Sequence, residues 1–546
     1  MRLNKDSMLV LNLLAIAVVL LSLQNLLHTP TNHDPNYEPR EANEIKSPGI
    51  GVATDHPAAT EVGMEVLRRG GNAVDAAIAI SYSLGVVEPF ASGIGGGGIM
   101  LVHPAEDVDP IIYDYREKAP DQKSKPESGI GVPGFVMGMD EIHEDFGSRS
   151  MERLLAPAIH QAENGLQVSS TLHSQLLDAN HRIPPNEASL FYPDNRAIEE
   201  GKTLKQEELA KTMTAIREEG PDIFYEGEIA SQLVRKVDGI EQKDLENYEV
   251  EKTEPIKGEF AGFDVYTPPP PAGGTMLIQS LQMAEQLHVD QLEDRPTNFI
   301  QMIGEINRET YEDRLETIGD PEFVDMPLDE ISSQEYTENL ASNISSVGSV
   351  NEEPLEDYEG DKDGNTTHFV VVDQDGMIVS VTNTLSSFFG SGIFTNGFFL
   401  NNQLDNFSSD SSSPNAYEPG KRPFSYISPT VLSKNGTPLI GIGSAGGRRI
   451  TSTLTQVLSR HLLFEEPINE AIDENRSYRD LHEEKIYLEG RIPPPLQQQL
   501  EENGYSVDNS RSPFYFGSIQ SLTIDYNEEN VYGGTDPRRN GKWMSR

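Results

Sequence analysis

Gly364-Asn365-Thr366-Thr367-His368-Phe369-Val370-Val371-Val372-Asp373 marks the place where a polar, acidic tract gives way to a β-strand that opens with two threonines. A threonine at a strand start is ordinarily a β-former and nothing more. The run Phe369 to Val372 is followed by Asp373-Gln374-Asp375-Gly376 and then by Met377 to Thr382, which together read as two strands joined by a hairpin turn. Asp361-x-Asp363-Gly364 and the acidic turn both suggest calcium, but neither carries the ligand series ending in glutamate, so both read as turns. Thr366 carries the functional question. Its hydroxyl can serve as a nucleophile if the chain is cut before it and its own amine becomes the base.

Beyond the hairpin, strands are expected at Ser428 to Leu432, Leu439 to Ile442 and Ser518 to Ile524, with a helix from Thr451 to Leu463. Gly441-Ile442-Gly443-Ser444-Ala445-Gly446 has the spacing G-x-G-x-x-G between a strand and a helix, yet no second strand ending in an acidic residue completes a dinucleotide unit. Ser444 is not a nucleophile elbow either, because Ile442 stands where that motif needs glycine. What remains is Gly446 and Gly447, whose main-chain N–H groups could line an oxyanion site.

Toward the N-terminus, Gly49 to Ala53 reads as a short strand, and His56 to Arg69 and Asn72 to Leu84 as two helices meeting at Gly70-Gly71. The run Ala91 to Gly98 also contains G-x-G-x-x-G, but a helix precedes it and the strand Ile99 to Val102 follows, the reverse of a nucleotide loop. Its glycines read as points of close backbone approach. Helices follow at Met151 to Asn164 and Leu204 to Glu219, then a strand from Gly258 to Tyr266. The prolines of Thr267 to Gly274 form a stiff connector into a helix from Met276 to Leu287.

The chain has 546 residues, with 88 Asp and Glu against 42 Lys and Arg and a formal charge of −46. Such a molecule repels nucleic acid, and the acid excess suits concentrated salt, where screening removes self-repulsion. The absence of cysteine excludes disulfides, thiolate metal sites and a cysteine nucleophile. Arg2 and Lys5 precede an apolar run from Met8 to Leu23, interrupted by Asn12 and Ser22, so residues 1–27 read as a signal peptide or membrane anchor. Residues 28–48 read as a linker, and export is expected whether or not the leader is removed.

Tyr115-Arg116-Glu117-Lys118-Ala119-Pro120, Gly131-Val132-Pro133-Gly134, Pro268 to Gly274, Thr366-Thr367-His368, Leu400-Asn401-Asn402-Gln403, Lys421-Arg422-Pro423 with Ser428-Pro429-Thr430, and Gly443 to Gly447 stand in a shared order. In these motifs, from about Gly49 to Pro537, the chain resembles the γ-glutamyltransferases. The resemblance implies an α+β fold, the four-layer αββα sandwich of N-terminal-nucleophile hydrolases, with no cofactor and no metal. It implies cleavage of the Asn365–Thr366 bond into a large subunit, 49–365, and a small one, 366–546, which stay paired. Thr366 would then carry a γ-glutamyl ester that passes to water or to an amine acceptor.

Family roles transfer to matching positions: Thr384 resembles the second threonine beside the nucleophile, and Arg116 the arginine that forks onto the substrate α-carboxylate, with Ser425 its partner. Gln403 matches a glutamine near the substrate amine, and Gly446 and Gly447 match the oxyanion glycines. The departures concern Ser386, Asn406 and Tyr426, where glutathione-using members have Asn, Asp and a second Ser. Losing the Asp weakens the hold on a free ammonium. The substitutions therefore favour poly-γ-glutamate, whose internal nitrogens are acylated, as in the capsule-processing (CapD-type) branch. Two other readings stay open: a glutathione-type γ-glutamyltransferase, and an uncleaved, membrane-tethered binding protein on the same fold. Arg448 and Arg449, with Arg538 and Arg539, would meet further carboxylates of the polymer or form local salt bridges.

Overall fold

The strand opened by the two threonines lies inside a sheet, with a neighbour on each side. In this computed structural model, which describes residues 47–105, 108–344 and 364–546, two large sheets face one another. In chain order their strands are β1 Gly51–Thr54, β2 Gly97–His103, β3 Ile111–Asp114, β4 Glu251–Thr253, β5 Ile256–Phe260, β6 Phe263–Thr267, β7 Gly364–Val372, β8 Ile378–Ser387, β9 Thr430–Lys434, β10 Thr437–Ala445, β11 Ser518–Asp525, β12 Asn530–Thr535 and β13 Lys542–Ser545. The first sheet runs β13-β1-β7-β8-β2-β3-β4 and the second β12-β11-β10-β9-β6-β5. Every pairing within them is antiparallel. Both sheets mix strands from before and after Thr366.

Alternation along β7 builds the layers, because successive side chains of a strand point to opposite faces. Val370 and Val372 pack between the sheets with Ile440, Ile442 and Leu522, whereas Phe369 and Val371 face the helical layer. That layer includes α1 Pro57–Arg68, α2 Ala73–Val87 and α3 Met151–Asn164. The opposite layer includes α4 Gly274–Gln286, α5 Pro296–Thr317 and α6 Arg449–Leu462, whose Leu277, Ile303 and Leu454 are buried against the second sheet. The expected αββα sandwich is therefore present.

Close approach of the sheets explains the glycine motif in β10. A methyl group on Gly441 would lie 2.5 Å from Val370 Cγ1, and one on Gly443 would lie 2.3 Å from the ring of His368. The earlier glycine run works likewise: methyl groups on Gly95 and Gly96 would strike the carbonyls of Phe399 and Thr384 at 2.2 and 2.3 Å.

Two element readings need correction. Gly258 to Tyr266 is not one strand but the hairpin β5–β6, turning at Ala261-Gly262 with Ala261 at φ 51°. The helix expected from Leu204 starts at Glu207, since Leu204 pairs with Leu166 in a short ribbon. Residues 1–27, the linker up to residue 46 and the tract before Gly364 lie outside the described residues. Among those described, no helix is long and apolar enough to cross a membrane.

Candidate active site

Thr366 faces Thr384 across the β7–β8 pair, and the register slips immediately beyond, so that Ser386 opposes Asn365. A bulge of this kind kinks a strand and re-aims its groups. Ser386 carries the strain, with φ at 76°, and its N–H donates to Thr384 Oγ1 at 2.9 Å. Thr384 Oγ1 in turn donates to the carbonyl oxygen of Asn365 at 2.9 Å and lies 3.2 Å from Thr366 Oγ1. The carbonyl of the Asn365–Thr366 bond is thus polarised by a fixed hydroxyl that also touches the Thr366 hydroxyl.

Asn365 is held on all sides. Its Nδ2 donates to Phe90 O at 3.0 Å, and its Oδ1 accepts from Thr366 N–H at 3.0 Å and Arg539 Nη2 at 3.1 Å. Arg539 Nη1 also donates to Thr366 O at 2.6 Å. Behind this arginine lie two buried carboxyls, Asp55 and Glu88. Arg539 stands 3.6 Å from Asp55, which also accepts from Ser518 and Gln520, while Glu88 accepts from Thr367 at 3.0 Å. Burial, reinforced by the charge of Asp55 and opposed by Arg539, pushes Glu88 up to about 8. Burial raises Asp55 as well, against the pull of Arg539 and of the Ser518 hydrogen bond, so the two carboxyls resist carrying charge together beside this one guanidinium.

A cavity of about 50 Å³ opens beside Thr366. The structure brings Thr384, Ser386, Gln403, Asn406, Ser425, Tyr426, Gly447 and Arg448 together on its wall. Gln403 is 1% exposed, and neither atom of its side-chain amide has a hydrogen-bond partner among the described residues. Gly446 and Gly447, at φ 143° and 57°, turn the chain between β10 and α6 in conformations that favour glycine. Gly446 faces a neighbouring cavity instead. Arg448 lies 3.1 Å from His482 Nε2 and over the ring of Tyr311.

Arg116 is placed differently from the expectation. Its guanidinium is buried behind the cavity, donating to Asp114 at 2.5 Å and to the carbonyls of Pro271 and Pro423 at 3.0 and 3.2 Å. A buried guanidinium must satisfy its donors, and Asp114 two residues away supplies the partner. Arg538 is likewise occupied, by Glu489 and Asp536, so its local-pairing alternative holds. Arg539 has a role the sequence did not suggest, gripping the residues on either side of the bond. Asp55 and Glu88 were missed as well, because no spacing links them to Arg539 or to the Thr366-Thr367 pair, residues drawn together from four distant parts of the chain.

Residues 59–545 match the family described as Gamma-glutamyltranspeptidase. The chain is 43% identical over 496 residues to the capsule biosynthesis protein CapD proenzyme of Bacillus anthracis, covering 91% of this chain and 90% of that one. It is 34% identical over 558 residues to the glutathione hydrolase proenzyme of Bacillus subtilis (strain 168), covering 94% of each. Among solved structures, the cephalosporin acylase from Bacillus halodurans superposes with a TM-score of 0.82 at 25% identity, covering 94% of this chain and 99% of that one. In fold, in the order of its motifs and over nearly its whole length, the chain belongs to the γ-glutamyltranspeptidase family.

Proposed function

We propose that the chain cuts itself between Asn365 and Thr366 and then cleaves γ-glutamyl bonds of poly-γ-glutamate outside the cell, passing the glutamyl chain to water or an amine. In the first step Thr366 Oγ attacks the Asn365 carbonyl carbon. The C–N bond breaks as the nitrogen takes a proton, and an ester joins Asn365 to the Thr366 side chain. Water hydrolyses that ester, leaving a carboxylate on Asn365 and a free amine on Thr366. The Thr384 hydrogen bond supports the developing oxyanion in this step. The amine then takes the proton from its own hydroxyl as Thr366 attacks a substrate γ-amide, and Gly447, on the wall of the same cavity, supplies an N–H group to the new oxyanion.

The substrate assignment rests on one observation: among the described residues, none of those lining the cavity beside Thr366 is a carboxylate, and Arg448 is the one cation in that lining. A free α-ammonium would lose water there without gaining a countercharge, which is costly. An acylated nitrogen carries no charge, and Ser386, Asn406 and Gln403 offer it neutral partners. The substrate α-carboxylate is taken by Arg448 with Ser425, while Arg116 holds Pro271 and Pro423 behind them. Turnover of poly-γ-glutamate and of glutathione by the same preparation tests the reading; faster glutathione turnover overturns it. Denaturing electrophoresis should show two fragments for the wild type and one band for Thr366→Ala. A wild type that stays intact would instead favour the binding-protein alternative.

A further inference from the structure

Arg539 grips the scissile bond from inside the molecule, and its aim is set by what stands behind it. Its Nη1 is 2.6 Å from Thr366 O but 3.6 Å from Asp55, so the main-chain carbonyl is held more closely than the carboxyl group. Two carboxyls meet here with one threonine between them: Thr367 Oγ1 lies 3.0 Å from Glu88 Oε2 and 3.4 Å from Asp55 Oδ2. All three residues are buried. Asp55 directly follows β1, Glu88 directly follows α2, and Thr367 lies on β7 beside the nucleophile.

A buried pair of this kind resists two negative charges, because each carboxylate, stripped of water, disfavours the other. Burial raises both, and the charge of Asp55 takes Glu88 further, to about 8, against the pull of Arg539 and of Thr367. Asp536, a third acid acting on Asp55, is occupied by Arg476 and by Arg538, the latter at 3.2 Å. A threonine hydroxyl can donate one hydrogen bond while accepting another. With one proton on the pair the bonds run in line, from the Glu88 O–H to Thr367 Oγ1 and from the Thr367 O–H to Asp55 Oδ2. Asp55 is then a fixed anion: its Oδ1 accepts from Ser518 and from Gln520 Nε2 at 2.6 Å, and its Oδ2 lies 3.5 Å from the main-chain N of His368. Without that proton the line breaks. Thr367 can donate to only one of two carboxylates, and both draw on Arg539.

We propose that Asp55 and Glu88 are positioning residues for self-cleavage, a pair that holds one proton through Thr367 and so faces Arg539 with one negative charge, leaving the guanidinium on Asn365 and Thr366. The proposal rests on the self-cleavage reading and adds a control to it. The bond is presented while the pair keeps its shared proton and is let go when that proton leaves. A guanidinium drawn back toward two carboxylates releases Thr366 O and Asn365 Oδ1, and a misplacement of about 1 Å at a reacting centre costs on the order of 10²-fold in rate. The rate of cutting should therefore follow the fraction of molecules in which the pair is protonated, and fall as pH rises.

The test follows self-cleavage of precursor refolded from urea into buffers between pH 6.5 and 9.5. Fragments are read on denaturing gels, and folding is followed separately by the fluorescence of Trp543, the one tryptophan. With the shared proton leaving near pH 8, the wild-type rate at pH 9 should be about a tenth of its rate at pH 6.5. Glu88→Gln and Asp55→Asn each leave a single carboxyl behind Arg539, and neither should show that fall. If Glu88→Gln fails to fold, Asp55→Asn decides. A wild-type rate that holds up to pH 9, or the same fall in a folded variant with one carboxyl, would overturn the proposal. A wild-type precursor that stays intact at every pH would instead overturn the self-cleavage reading beneath it.

Discussion

Thr384 donates one hydrogen bond, to the carbonyl oxygen of Asn365, and its own oxygen is held by the N–H of Ser386. A donor aimed at a developing oxyanion is worth about 10²–10³ in rate. Thr384→Val should therefore slow self-cleavage by that order, and Thr384→Ser should restore most of it, both followed as the two fragments appear on denaturing gels. Wild-type cleavage kinetics in Thr384→Val would remove the hydrogen bond from the mechanism. Glu117, in the Tyr115–Pro120 motif, offers a test of pH dependence. It is fully buried, and burial, only partly offset by a hydrogen bond from its own backbone N–H and by the charge of Arg116, raises it to about 8. An acid whose folded pKa is raised adds stability that is complete below its unfolded value near 4.5, and that stability is lost as pH climbs toward 8. Glu117→Gln should accordingly narrow the difference in Tm between pH 5 and pH 8, and an undiminished difference would show that this carboxyl does not titrate in the fold. At this scale the gathering of Thr366, Thr384 and the amides of Gln403 and Asn406 around one cavity was legible, because motif order survives in a linear chain. The engagement of Arg116 was not legible: which anion a guanidinium meets depends on what folds against it.

At the scale of elements, β7 and β10 lie so close that glycine is required where they cross. Gly441→Ala should cost about 1–3 kcal/mol through overpacking against Val370. Truncating the opposing side chain should return part of that loss, so Gly441→Ala with Val370→Ala should unfold at a higher temperature than the sum of the two single effects. Strict additivity would mean that the contact does not limit the sheet spacing. The G-x-G-x-x-G spacing allows the close approach of the two sheets, a meaning that needed the second sheet. The β5–β6 hairpin shows why sequence reading stops where it does. Its turn is Ala261-Gly262, and alanine at positive φ gives no turn signal of the kind that Asn or Asp would. In contrast, the β7–β8 hairpin announced itself, and Asp373 holds its turn by accepting from the N–H groups of Asp375 and Met377.

The whole molecule carries a formal charge of −46, and most of its acids lack a basic partner by count alone, 88 against 42. Raising salt from 0.1 to 1 M shortens the screening length from about 10 to 3 Å. Calorimetric Tm should rise by several degrees over that range, and a flat or falling Tm would mean that self-repulsion is not what limits stability. The layered architecture was legible from alternation and family order together, whereas the order of strands within each sheet was not, because pairing joins segments hundreds of residues apart. That order has a consequence of its own. In the first sheet β1, which precedes Thr366, is seated between β7 and β13, which follow it. Once the bond is cut, neither fragment can depart without tearing a strand from the middle of a sheet. The precursor closes these contacts as loops of one chain, but two separated fragments would have to find each other first, an encounter that dilution slows without limit. Cutting thus turns a reversible fold into an assembly that forms only once, so the working life of the mature protein is set by how slowly it comes apart.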